Sequence, residues 1–74
     1  MERRFLEQYK QLGLNITYYR KAKGLSQMKL AEQVEISRTH MSRIENCDCA
    51  VSLDVVFAIA QALEIPVEKL FERR

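Results

Sequence analysis

The chain is short of residues that break helices: its 74 positions include only two glycines and one proline. So few turn formers exclude a fold of many short strands and leave helices as the elements between turns. Long apolar runs are also missing. No segment approaches the ~18 consecutive apolar residues of a membrane-spanning helix. Met1-Glu2-Arg3-Arg4-Phe5-Leu6-Glu7 lacks the uninterrupted apolar stretch of a signal peptide, so a cytoplasmic protein without membrane association is expected. Cysteine is scarce. Cys47 and Cys49 sit one residue apart, give no disulfide framework and suit a reducing compartment. With His40 or Asp48 they still leave a tetrahedral zinc short of ligands, so no metal site is expected. Two incidental loop cysteines are the favoured reading over a redox-sensing thiol.

Apolar residues make up 47% of the chain, which argues against disorder and for one small domain over residues 1–74. The net charge of +2 is weak evidence for an anionic partner, but its distribution is uneven. Residues 1–46 carry nine Lys or Arg against five Glu, whereas residues 47–74 carry three against five Asp or Glu. One surface is therefore expected to meet phosphate and another to meet protein or water.

Phe5, Leu6, Tyr9, Leu12, Ile16 and Tyr19 recur at helical steps and predict a first helix over residues 2–23. Gly13 interrupts it, so either one helix tolerates the glycine or Asn15 caps a new one; one long helix is the favoured reading. Gly24 offers a left-handed stop. Tyr19 belongs to the core stripe and Tyr18 to the surface. Ser26 caps a second helix over 26–34, with Leu30 and Val34 facing inward. Ser37 opens a third over 37–46, and so short a connection makes these two cross steeply. Ser52 caps a fourth over 52–63, whose inward stripe is Leu53, Val56, Ile59, Ala60 and Leu63. Pro66 starts a fifth over 66–72 with Leu70 and Phe71. The expected class is all-α with five helices.

At ~100° per residue, Met41 and Ile44 lie on one side of the third helix, with His40 and Glu45 at its margins. Arg38, Thr39, Ser42, Arg43 and Asn46 fan over the other. A polar face of this kind is either a solvated surface or a reader of base edges in a major groove. Arg38 and Arg43 can each present a bidentate fork to guanine, and Thr39 can meet a thymine methyl. Glu45 is ill suited to an anion and is better explained as structural. No Ser/His/Asp or paired-carboxylate arrangement is legible, so no enzyme, cofactor or small-molecule ligand is expected.

The run from Leu25-Ser26-Gln27 through Leu30-Ala31 and Ile36-Ser37 to Ile44-Glu45-Asn46 resembles the helix-turn-helix of the Cro and lambda-repressor-like family. The likeness covers roughly residues 13–71 and extends through Ser52-Leu53 and Ala60-Gln61-Ala62-Leu63 to Leu70-Phe71. It implies a compact five-helix DNA-binding domain with helices 2 and 3 as the helix-turn-helix. It places Arg38, Thr39 and Arg43 at base-reading positions. Gln27 falls where a phosphate is contacted and the reading helix braced, and Ser37, Ser42 and Asn46 fall where phosphate or flanking bases are touched. His40 takes a packing or phosphate-contact role, and Arg20 and Glu45 match an internal salt bridge.

Three departures from the family stand out. Glu35 occupies a turn position where many members have Gly, which implies a residue forced toward φ > 0. Cys47 replaces a second frequent Gly. The loop Cys47-Asp48-Cys49-Ala50 carries an acid where the family is often basic, so weaker non-specific affinity for DNA is expected. The expected function is a sequence-specific DNA-binding transcriptional regulator acting as a homodimer on a pseudo-palindromic operator of double-stranded DNA. Its dimer surface is expected near Val55, Val67 and Phe71. The alternative is an antitoxin- or adaptor-like protein-interaction module that keeps the fold.

Overall fold

The computed structural model describes residues 4–74. Helix α1 spans Leu6–Ala22, α2 Gln27–Gln33, α3 Arg38–Glu45 and α4 Leu53–Leu63, and a 3₁₀ helix over Val67–Phe71 closes the order. The architecture is all-helical, with no strand among the described residues. Four α-helices form rather than five. The last element is only five residues long and follows Pro66, so it adopts the tighter 3₁₀ form used in short pieces. The expected start of the first helix at Glu2 lies outside the described residues; Arg4 and Phe5 form a turn, and α1 begins at Leu6 without a side-chain cap.

Serines open the next three helices by the same physics. Ser26, Ser37 and Ser52 each accept a hydrogen bond from the backbone N–H three residues on, at 3.0, 2.9 and 3.2 Å. Each satisfies an otherwise orphaned donor, and replacement by Ala typically costs about 1 kcal/mol. The helix ends share a second rule. Gly24, Glu35, Cys47 and Glu64 all sit in the left-handed region, with φ of 78°, 62°, 55° and 59°. The next residue's N–H then reaches back to a carbonyl of the last turn: Leu25 to Arg20, Ile36 to Ala31, Asp48 to Arg43 and Ile65 to Ala60. Glu35 thus takes the positive φ expected of it.

One core joins all five elements. Ile16, Leu30, Met41, Ile59 and Leu70, one from each, are fully excluded from solvent. Burying such side chains contributes about 1.5–3 kcal/mol apiece, which makes this shared layer the main source of stability. Tyr19 packs against the core and Tyr18 is half exposed, its ring edge-on to Tyr19 at 5.0 Å. Leu53 departs from its expected inward position. It is 64% exposed and lines a surface groove together with Phe5.

Gly13 leaves α1 unbroken, and its reason lies in packing. A Cβ there would stand 2.4 Å from the Glu45 carbonyl oxygen, so only glycine lets α1 approach the end of α3 this closely. Asn15 caps no helix. It is wholly buried, and its amide donates to the carbonyls of Leu70 at 2.9 Å and Glu72 at 2.7 Å. The buried Leu70 carbonyl is thereby satisfied, and the chain end is tied along α1.

Candidate nucleic-acid interface

Helix α3 is held from behind by one carboxylate. Glu45, its last residue, accepts from Arg20 Nε at 2.8 Å through Oε2, and from Arg20 Nη2 at 3.0 Å through Oε1. Oε1 also accepts from Thr17 Oγ1 at 2.9 Å and Gln27 Nε2 at 3.1 Å. The remaining Arg20 donor, Nη1, reaches the Leu25 carbonyl at 2.8 Å. With side-chain exposures of 9% and 3%, Arg20 and Glu45 form a desolvated pair, tolerated because each of the three Arg20 nitrogens and both Glu45 carboxylate oxygens has a hydrogen-bond partner. The same carboxylate ties together α1, α2 and α3. Gln27 is therefore fixed at the N-terminus of α2 with one amide proton already committed.

The opposite face of α3 is open. Arg38, Thr39 and Arg43 are exposed, as are Ser37 and Asn46 at its two ends, whereas Ser42 and His40 are half buried. Asn46 Nδ2 donates to Ser42 Oγ at 3.4 Å, one turn apart on this face. The structure therefore brings Arg38, Thr39, Arg43, Ser42 and Asn46 onto one surface. Ser37 is set apart by its capping bond to the His40 N–H, which occupies its hydroxyl oxygen.

Charge sorts itself across the molecule. Lys10, Lys23, Lys29 and Lys69 each stand beside a carboxylate, as does the buried Arg20. Arg38 and Arg43 have no such partner among the described residues, as is also true of Lys21 and Arg73 away from α3. Two extended guanidinium groups on a narrow helix, with no internal counter-charge, are the arrangement that an anionic, bidentate acceptor would complete. Asp48, one residue beyond the left-handed Cys47, is exposed at the end of the same helix and removes positive potential from that flank. Cys47 and Cys49 are free and half buried, with Cys49 against the core.

Thr17 is the member of the bracing cluster that escapes sequence reasoning. It lies one turn before Arg20 on α1, and that spacing is the only signal that it shares Arg20's partner.

A family described as a helix-turn-helix domain matches residues 11–71. The control protein C.SmaI of Serratia marcescens is 35% identical over 63 residues, covering 85% of this chain and 75% of that protein. The crystal structure of the restriction-modification controller protein C.AhdI from Aeromonas hydrophila superposes with a TM-score of 0.82 at 33% identity, covering 85% of this chain and 96% of that one. The N-terminal DNA binding domain of SinR from Bacillus subtilis does so with a TM-score of 0.78 at 28% identity, covering 85% and 93%. With the braced α2–α3 pair and its open basic face already in view, these matches place the chain in the helix-turn-helix family of Cro- and lambda-repressor-like transcription regulators.

Proposed function

We propose that this protein is a sequence-specific DNA-binding regulator that places α3 in the major groove and acts as a homodimer on a pseudo-palindromic operator. The observation that carries the reading is the pair Arg38 and Arg43, exposed on α3 and without an acidic partner among the described residues. In this reading Arg38, Thr39 and Arg43 meet base edges. Ser42, Asn46, His40 and the Ser37 end of the helix touch phosphate or flanking positions, and Gln27 offers its remaining amide proton to phosphate. Arg20 and Glu45 hold the geometry and touch no DNA. A structure of SinR in complex with DNA, similar to this chain with a TM-score of 0.75 at 31% identity, supports the choice of partner.

One such helix reads only a few base pairs, so two copies on half-sites about one helical turn apart supply the rest of the specificity. Selecting duplexes from a random pool tests this. A two-fold-symmetric consensus protected by the protein supports it, and failure to enrich any duplex at low salt removes it. The exposed acid Asp48 beside α3 favours a second reading, a protein-interaction module, which that failure would bring forward.

A further inference from the structure

We infer that Thr17 is a positioning residue for phosphate contact: its hydroxyl lets the Gln27 amide turn from Glu45 to a DNA phosphate without leaving the buried carboxylate short of donors. This role deepens the DNA-binding reading above and rests on it. It adds a residue of α1 that itself touches no DNA.

The bonds to Glu45 are unevenly shared between its two oxygens. Oε2 accepts from Arg20 Nε at 2.8 Å. Oε1 accepts from three donors, Thr17 Oγ1 at 2.9 Å, Arg20 Nη2 at 3.0 Å and Gln27 Nε2 at 3.1 Å. A carboxylate oxygen offers about two lone-pair sites, so Oε1 carries one donor more than it can hold well. Gln27 makes the longest of these bonds and is the donor that can yield. Arg20 is held at all three of its nitrogens, so it stays. Thr17 stays as well, because it lies one turn along α1 from Gly13, where the helix is seated against the Glu45 backbone.

Gln27 is placed differently. It is the first residue of α2 and only half buried. Its amide carries a second proton, the one directed to phosphate in the reading above. As that proton meets a phosphate the amide turns outward, and the 3.1 Å bond to Glu45 gives way. With Thr17 present, Oε1 still holds two donors, as many as its lone pairs take. Without the hydroxyl, the same movement leaves a single donor on an oxygen of a side chain that is 3% exposed. A buried acceptor left under-satisfied is costly, and that cost is subtracted from binding. In the free protein, loss of the hydroxyl also leaves Gln27 bound more firmly to Glu45, which opposes its release in the same direction.

The test is a double-mutant cycle on duplex affinity, run well below the melting midpoint of every variant. Thr17→Val is expected to weaken binding to all duplexes by about three- to tenfold with base preference unchanged, because a phosphate contact carries no sequence. Thr17→Ser keeps the hydroxyl and is expected to restore most of the wild-type affinity. In a Gln27→Ala background, where no amide is left to release, Thr17→Val is expected to change affinity by less than about twofold. A merely structural Thr17 would lower the melting midpoint and leave affinity unmoved in both backgrounds. A Thr17→Val variant that binds like the wild type overturns the inference, as does an equal loss with and without Gln27. Either result leaves the DNA reading intact, whereas a wild type that binds no duplex at low salt removes that reading and this inference together.

Discussion

Gly13 of α1 lies against the backbone carbonyl of Glu45 at the end of α3, so close that a Cβ would meet its oxygen at 2.4 Å. The contact sets the distance between α1 and α3. Gly13→Ala gains about 1 kcal/mol of helix propensity but must push backbone rather than a flexible side chain. A net destabilisation of about 1–3 kcal/mol is expected, as in other overpacked sites, read as a lower midpoint in urea with an unchanged slope. An equal or higher midpoint would show that α1 and α3 are not in this contact.

The left-handed stops make a second prediction. Glu35 and Cys47 hold positive φ with a side chain attached, which costs roughly 1–2 kcal/mol relative to glycine, partly offset by glycine's greater freedom when unfolded. Glu35→Gly and Cys47→Gly should each raise stability by about 0.5–1 kcal/mol in chemical denaturation. Gly24→Ala should lower it by a similar amount, and for conformational reasons alone, since nothing stands within 4 Å of the added Cβ.

Removing one partner from the desolvated pair is expected to be far more costly. Glu45→Ala leaves Arg20 nearly buried without its counter-charge and frees Thr17 and Gln27. A loss of about 3–5 kcal/mol follows, enough to unfold much of so small a domain at room temperature, which a thermal melt would show. Thr17→Val keeps the shape and removes one donor of four, so about 1 kcal/mol is expected from the same melt.

Acid has a defined local effect. A hydrogen bond from Lys23, reinforced by its charge, holds the Glu64 carboxyl below its ordinary value of 4.5. A carboxyl with a lowered folded pKa contributes stability that is present above its unfolded pKa. That contribution is lost as pH falls through the folded value. Lys23→Met should return the Glu64 pKa toward 4.5, followed by carboxyl NMR through an acid titration. An unchanged titration would mean that the pair does not form in solution.

Periodicity and capping made most of this architecture legible, because each serine cap and each apolar stripe is a local signal. Ser26, Ser37 and Ser52 open their helices as their positions imply. What stayed hidden depends on distant partners. Asn15 offers a helix cap in sequence only as the alternative to one long helix, and nothing there points to its partners, which lie 55 and 57 residues away at the chain end. Leu53 fits the inward stripe of α4 by spacing, but it sits at the edge of that stripe and stays 64% exposed while Val56 is buried. The fan of α3 was visible from its residue types. That Arg38 and Arg43 lack acidic neighbours among the described residues could be learned only once the surrounding helices were in place.

The central claim is that the open face of α3 reads base edges through Arg38 and Arg43. The direct test is the affinity of the wild type and of Arg43→Ala for a selected operator and for the same duplex altered one base pair at a time. Binding should weaken steeply with salt, and Arg43→Ala should cost about 1–3 kcal/mol on the selected duplex while losing discrimination at one position in each half-site. Gln27→Ala should weaken all duplexes alike. An Arg43→Ala variant that keeps the wild-type preference at every position would contradict the account.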